Sequence, residues 1–246
     1  MNQATARYPS LADRRVVITG GGSGIGASLT EAFVDQGARV TFLDVAEEDS
    51  RALADRTGAT FLRCDLTDVA AIKDAFELIG AVDVLVNNAA NDDRHDIAAV
   101  TSDYFDQRIA VNLKHHFFCA QAVTPAMRAA GRGVIVNMGS IAWRTALPGL
   151  AIYETATAGI EGLTRALARE LGADGIRVMC VVPGGVRTPR QMALWHDPDG
   201  ERALLEKQCL KFRLDPPDIA AMTLFLASDD ARGCTAQSFV VDAGWS

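Results

Sequence analysis

Seven short runs rich in β-branched residues alternate with longer amphipathic stretches along this 246-residue chain, and the alternation constrains its fold strongly. Strands that are apolar on both sides are typical of parallel sheets covered by helices on both faces. Right-handed crossovers then produce a doubly wound arrangement. The pattern predicts an α/β fold, a single doubly wound domain spanning 1–246 around a seven-stranded parallel sheet. The predicted strands are 16–18, 40–43, 60–62, 82–86, 133–136, 178–182 and 239–241.

Two long segments rich in alanine and leucine are predicted to be helices. They cover about 102–130 and about 152–171, and Gly131 and Gly172 are predicted to end them. Small residues leave the second helix with a smooth face, which suits either a subunit contact or close packing within the domain. These small residues are at positions 156, 158, 159 and 162.

Composition and charge narrow the partners of the chain. A formal net charge of −7 without a cluster of Lys or Arg argues against nucleic acid and anionic membranes, so a small molecule is the expected ligand. No apolar run is long enough to span a membrane and no secretory signal precedes the first strand, which predicts a cytoplasmic protein. The five cysteines lack metal-binding spacing, so we expect buried, reduced thiols and no metal site.

A glycine-rich loop follows the first predicted strand and opens a helix. Gly20, Gly24 and Gly26 permit a tight turn and close approach of a ligand to the backbone, and Ser23 and Ile25 lie between them. The amino end of the helix offers free N–H groups and a partial positive charge to phosphate. Because a strand precedes the loop and a helix follows it, the loop predicts a Rossmann-type dinucleotide site.

Two aspartates end the next two predicted strands. Asp44 is placed to accept hydrogen bonds from the adenosine ribose and to repel a 2′-phosphate, which favours NAD over NADP. The alternative is that Asp44 only caps a loop. Asp65 is placed either to accept from the adenine amino group or to cap a helix.

Ser140 and Tyr153 form a candidate catalytic pair thirteen residues apart. A phenolate at Tyr153 would take the proton of an alcohol while hydride leaves the carbon, provided that the pKa of the phenol is lowered towards working pH. Ser140 would hold the substrate oxygen. Beside a dinucleotide site, this pair predicts hydride transfer between a nicotinamide and an alcohol or carbonyl.

These motifs together resemble the short-chain dehydrogenase/reductase family over essentially the whole chain. The family motifs are Thr19-Gly-x-x-x-Gly-x-Gly26, Asn87-Asn-Ala89, Asn112, Ser140, Tyr153 and Pro183-Gly184. Other segments are similar to the bacterial NAD-dependent aldose dehydrogenases within that family. They are Asn91-Asp-Asp-Arg-His95, Tyr153-Glu-Thr-Ala156, Ala158-Gly-Ile-Glu-Gly162 and Asp242-Ala-Gly-Trp245.

The resemblance implies further cofactor contacts. Asn88 and Ala90 would line the adenosine ribose, although the family usually has Gly where this chain has Ala90. Pro183 and Gly184 would pass under the nicotinamide. The remaining implied contacts are Val186 and Thr188 at the carboxamide, with Leu66, Ala89, Tyr153 and Thr157 elsewhere along the cofactor.

The family's catalytic lysine is missing from this chain. Relatives carry it four residues after the tyrosine, where its ammonium lowers the pKa of the phenol and donates to the nicotinamide ribose. Thr157 occupies that position here, and its short uncharged hydroxyl does neither job. Asn112 matches the family's helix-kinking asparagine, whose freed carbonyl holds a water of the proton relay.

Substrate contacts are expected from loops near the catalytic pair. A sugar suits an aromatic face together with amide and guanidinium donors. The candidates are Asn91, Trp143, Arg144 and Gln191, together with Ser140 and Tyr153. Asp92, Asp93, Arg94 and His95 form either part of the mouth or a solvated loop, and His115 and His116 are expected to have a structural role.

The sequence therefore predicts NAD-dependent oxidation of an aldose, D-xylose or a related pentose or hexose, at C1 to the lactone, in a homotetramer. Activity is expected to be impaired by Thr157. The alternatives are a non-catalytic NAD-binding sensor or scaffold, which the loss of lysine favours, and a dehydrogenase of another secondary alcohol.

Overall fold

The computed structural model describes residues 6–195 and 197–246, and its centre is a parallel sheet of seven strands in the order β3-β2-β1-β4-β5-β6-β7. The strand order reverses between β1 and β4, which creates a crevice at the carboxyl ends of these strands. The sheet confirms the predicted fold class. Its strands are β1 Arg15–Thr19, β2 Arg39–Asp44, β3 Thr60–Arg63, β4 Val84–Asn87, β5 Gly133–Met138, β6 Ile176–Pro183 and β7 Ser238–Val241.

Helices pack on both faces of the sheet because successive strand residues point to opposite sides. In β1, Val16 and Ile18 pack against one helical layer, and Val17 packs against the other. The helices are α1 Gly24–Asp35, α2 Glu47–Thr57, α3 Val69–Ile79, α4 Ser102–Ile109, α5 His115–Ala130, α6 Ala142–Thr145, α7 Ala151–Leu171, α8 Pro189–Trp195, α9 Pro198–Lys207 and α10 Pro216–Ala227. The layer of α1 and α10 covers Val16 and Ile18, and the layer of α3, α5 and α7 covers Val17.

The first long predicted helix is divided by a π-helical segment, Ala110–Lys114, that joins α4 to α5. The helix ends at Gly131 in the left-handed conformation, as predicted. Helix α7 also ends where predicted, but Gly172 keeps a right-handed conformation and begins a 3₁₀ turn. The left-handed residue that closes this turn is Gly175, with φ +73°.

The small-residue face of α7 has one side that is buried and one side that is exposed. Ala156 is fully buried, and a Cβ at Gly159 would lie 3.1 Å from Leu113 of the π-helical segment, so this side packs within the domain. Gly162 is exposed and has open space around it. The exposed side therefore remains available for a subunit contact.

The cysteines follow the prediction in part. Cys64, Cys119 and Cys180 are buried, as expected. Cys209 lies in the surface segment after α9 and is exposed, so the expectation of burial was wrong for this residue. Cys234 is half-buried, and all five are free thiols. Among the described residues, no helix has the length and apolarity needed to cross a membrane.

Candidate functional site

The predicted cofactor residues gather at the carboxyl edge of the sheet. They follow the ends of β1, β2, β3, β4 and β6, the edge where ligands bind in open α/β sheets. The chain places Gly20, Ser23, Gly24, Ile25 and Gly26 after β1, Asp44 at the end of β2, Asp65 and Leu66 after β3, Asn88, Ala89 and Ala90 after β4, and Gly184, Val186 and Thr188 after Pro183, which ends β6.

The glycine loop is shaped by close backbone contacts. Gly20 and Gly24 have φ values of +62° and +54°, which side chains rarely adopt. A Cβ at Gly26 would lie 1.8 Å from the carbonyl oxygen of Gly20, so only glycine fits there. Ser23 precedes α1 without a side-chain capping hydrogen bond, which leaves the amino end of the helix open to a phosphate.

Asn88 ties the end of β4 to this loop. Its side-chain amide donates to the carbonyl oxygens of Thr19, at 3.1 Å, and Gly20, at 2.9 Å. In return, the Thr19 hydroxyl accepts from the backbone N–H groups of Asn88 and Ala89. No sequence motif indicated this contact, which holds the end of β4 against the glycine loop.

Asp44 lies next to the glycine loop and forms a hydrogen bond with it. Its Oδ2 accepts from the backbone N–H of Gly22 at 2.9 Å, and its Oδ1 accepts from Val45 and Ala46. The loop-capping alternative is therefore real, and it holds a carboxylate against the dinucleotide loop. The predicted contact with the adenosine ribose would use the same side chain.

Asp65 bonds within its own turn. Its Oδ1 accepts from the backbone N–H and the hydroxyl of Thr67. The side chain that caps α3 is Asp68, which accepts from Ala70. The helix-capping alternative for Asp65 is thus replaced by a turn immediately before the capping residue.

The glycine loop faces Thr188, the residue before α8, across a narrow gap. Thr188 caps α8 by accepting from the backbone N–H of Gln191 at 3.2 Å. Its methyl carbon would lie 3.4 Å from a Cβ at Gly24. Val186 is buried beneath it. A molecule bound along the loop therefore passes next to Thr188.

Ser140 and Tyr153 are brought together by β5 and α7. Ser140 lies close enough to Tyr153 to lower the pKa of its phenol, and the Ser140 hydroxyl accepts from the backbone N–H of Ala142 at 3.1 Å. Burial raises the pKa of Tyr153 to about 12, Ser140 opposes that rise, and the charge of Asp92 adds to it. No cation contributes among the described residues. The phenol is consequently protonated at neutral pH.

Thr157 lies one helical turn after Tyr153 and is buried. Its hydroxyl donates back to the carbonyl oxygen of Glu154, at 3.2 Å, within the same helix. This bond uses the only proton that the side chain can donate. Thr157 therefore lacks both the charge and the free donor of a lysine.

Asn112 lies in the π-helical segment and is 1% exposed. Its Oδ1 accepts from the backbone N–H of Asn91 at 2.7 Å, and its Nδ2 donates to the Asn91 carbonyl at 3.0 Å. This reciprocal pair holds the loop after β4 against the helix. The structure has a π-helical segment at the position where a kink was predicted, and the pairing of Asn112 with Asn91 was not foreseen.

The predicted substrate residues divide into two groups. Gln191 donates to Asp92 at 2.5 Å beside the catalytic pair. Trp143 and Arg144 instead donate to Glu161, which lies eight residues, or about 12 Å along α7, beyond Tyr153. The structure therefore does not direct the polar atoms of Trp143 and Arg144 to Tyr153.

A buried polar network lies behind the site. His115 and His116 are both buried, as expected for a structural role, with ring centroids 4.3 Å apart. His116 contacts Asn137, which pairs with Asn87 across β4 and β5. Both ring nitrogens of His115 are buried without a partner among the described residues.

Known proteins and a family model match this chain along nearly its whole length. A family model described as enoyl-(acyl carrier protein) reductase matches residues 20–246. D-xylose 1-dehydrogenase of Caulobacter vibrioides is 58% identical over 98% of this chain and 99% of its own. Probable galactose dehydrogenase GalD of Rhizobium meliloti is 46% identical over 99% of each. A solved structure of a short chain dehydrogenase/reductase family protein superimposes with a TM-score of 0.88 at 32% identity, covering 96% of this chain and 98% of the other.

Proposed function

Since this chain belongs to the short-chain dehydrogenase/reductase family and is an oxidoreductase, we propose that it oxidises an aldose, D-xylose or a related pentose or hexose, at C1 to the aldonolactone with NAD. The observation that carries the proposal is the pairing of Ser140 with Tyr153 beside the glycine loop in a chain 58% identical to a D-xylose 1-dehydrogenase.

In the proposed reaction, NAD, Tyr153 and Ser140 each have one role. Bound NAD supplies the acceptor for the hydride that leaves C1 when the C1–H bond breaks. Tyr153, as phenolate, takes the proton of the C1 hydroxyl, and the C1–O bond becomes the lactone carbonyl. Ser140 holds the substrate oxygen through its hydroxyl. The products are lactone, NADH and a proton.

The crevice fits the dinucleotide through its own residues. The uncapped amino end of α1 offers N–H groups to the pyrophosphate, and the glycine contacts exclude side chains from the loop. We assign the adenosine ribose to Asp44, whose carboxylate faces the same loop and disfavours a 2′-phosphate. Asn88, Ala89 and Ala90 would lie along the ribose, and Asp65 and Leu66 beside the adenine.

The proton relay is proposed to be incomplete. Asn112 supplies the helix irregularity that frees a carbonyl for a relay water, but Thr157 offers no charge to the phenol or the nicotinamide ribose. Because the pKa of Tyr153 is raised to about 12, turnover at neutral pH should be slow. Because Thr157 replaces the lysine, a second function stays open. In that function the protein binds NAD without catalysis and acts as a sensor of NAD or as a scaffold for a partner.

The direct test is NADH formation with a panel of pentoses and hexoses, measured on this chain and on Thr157→Lys. Sugar-dependent NADH from either protein supports the proposal, and Tyr153→Phe should abolish it. NAD binding without NADH from any sugar, in both proteins, would support the binding function. Oxidation of non-sugar secondary alcohols alone would support the third possibility.

A further inference from the structure

The loop after β4 carries a carboxylate, Asp92, whose charge acts on Tyr153. Asp92 accepts from Arg190 Nε at 3.1 Å and from Gln191 Nε2 at 2.5 Å, and its side chain is 23% exposed. Both donors stand in the first turn of α8. Asp92 therefore connects the β4 loop to the helix that follows the nicotinamide end of the crevice.

The position of Asp92 is fixed by a chain of ion pairs. Arg190 also bonds Asp93, and Asp93 bonds Arg108 Nη1 at 3.0 Å. The side chain of Arg108 is only 11% exposed, so the far end of the network is anchored in the protein. An anchored carboxylate loses little conformational entropy when it accepts a further hydrogen bond.

The loop of Asp92 packs against the residues that lead into α7, because the backbone N–H of His95 donates to the carbonyl oxygen of Gly149 at 3.0 Å, four residues before Tyr153. The charge of Asp92 also acts on the phenol of Tyr153. A hydroxyl that Tyr153 deprotonates therefore lies next to this loop. A carboxylate has about four lone-pair sites, of which Arg190 and Gln191 occupy two, so acceptor capacity remains. In an aldose ring, the hydroxyl next to C1 is that of C2, because the other neighbour of C1 is the ring oxygen.

We propose that Asp92 is a specificity-determining residue that accepts the hydrogen bond of the C2 hydroxyl of the sugar, held in place by Arg190 and Gln191. This inference rests on the proposed function, because it requires an aldose oxidised at C1. Asp92 would thus recognise a substrate hydroxyl next to Ser140 and Tyr153, the pair that is proposed to accept the proton of the substrate.

The test pairs a protein variant with a substrate variant. The best sugar from the panel and its 2-deoxy and 3-deoxy analogues are compared on the unmodified protein and on Asp92→Asn, with Thr157→Lys as a faster background. For the parent sugar, Asp92→Asn should lower kcat/KM by about 10-fold to 100-fold, mainly through KM. For the 2-deoxy sugar, the same substitution should cause no loss of kcat/KM, since the contact is already absent and the phenol of Tyr153 loses a neighbouring negative charge.

Asp93→Asn is the matched control, because it weakens the same ion-pair chain without altering the carboxylate that faces Tyr153. It should lower kcat/KM equally for all three sugars, and by less than Asp92→Asn does for the parent sugar. An equal loss for parent and 2-deoxy sugar in Asp92→Asn would overturn the proposal, as would a loss cancelled only by the 3-deoxy sugar. Absence of sugar oxidation in every protein would instead contradict the proposed function.

Discussion

Tyr153 is the proposed base of this chain, and its surroundings oppose that role. Burial and Asp92 raise the pKa of its phenol, and among the described residues Ser140 alone lowers it. Phenolate forms as pH rises, so the rate of this chain should climb through the alkaline range towards the pKa of about 12. A pH–rate profile measures this directly.

Thr157→Lys should bring the rising part of that profile to lower pH, because an ammonium near the phenol stabilises phenolate. We expect the rate at pH 7 to increase by at least about tenfold. Thr157→Met is the control, since it adds a long side chain without charge. If Met raised the rate as much as Lys, filled space rather than charge would be the cause.

Asp44 should decide the choice of cofactor. Asp44→Asn keeps an acceptor for Gly22 but removes the charge that would face a 2′-phosphate. Its preference for NAD over NADP should fall by about 1.5 to 3 kcal/mol, the scale of a charged hydrogen bond. Calorimetric titration of both dinucleotides checks this, and equal affinities in the unmodified protein would contradict the assignment.

At the scale of elements, helix α5 carries two histidines into the core. Burial lowers the pKa of His116 to about 4 and that of His115 well below its usual value. Between pH 6.5 and 4, the unfolded chain therefore binds more protons than the folded protein, so stability falls as pH decreases. For His116 alone, the loss is on the order of 3 kcal/mol.

Urea unfolding between pH 7.5 and 4.5 measures this loss. His116→Gln should lose less stability on acidification, because one proton-binding site is removed from the unfolded chain while contact with Asn137 is retained. Acid-dependence identical to that of the unmodified protein would show that other groups cause the loss.

The strands and the order of elements could be predicted because each depends on local patterns of apolar residues. The π-helical segment could not, since it depends on a contact between Asn112 and Asn91, twenty-one positions apart. The hydrogen bonds of Trp143 and Arg144 to Glu161 could not be predicted either, since they also join residues that are far apart in the sequence. The sequence predicted Ser140 and Tyr153 as the catalytic pair, which stays a prediction, but the raised pKa of Tyr153 follows from burial and from Asp92, which the sequence alone does not show.

At the scale of the whole molecule, the open side of α7 and two exposed aromatics predict assembly. Phe105 of α4 and Phe117 of α5 are 43% and 44% exposed, and large exposed apolar side chains are candidates for an interaction surface. We expect a homotetramer with dihedral symmetry, formed partly through these helices. Light scattering at micromolar concentration should give four times the mass of one chain.

Phe117→Asp should shift that assembly towards dimers or monomers, because a charge would be buried in the contact. Leu78→Asp is the control, since Leu78 is 75% exposed at the end of α3. A monomer in the unmodified protein, or equal dissociation by both variants, would contradict this interface.

The π-helical segment also has a meaning in evolutionary terms. A hydrogen bond from His115 to Ala110 spans five residues rather than four, as if one residue had been inserted into a helix. Deleting one residue there would restore a regular helix but rotate one side of it by about 100° relative to the other. Asn112 could then no longer face Asn91 while α5 kept its contacts with the sheet. The insertion is therefore of a kind that selection retains, since reverting it would separate the loop that carries Asp92 from its support.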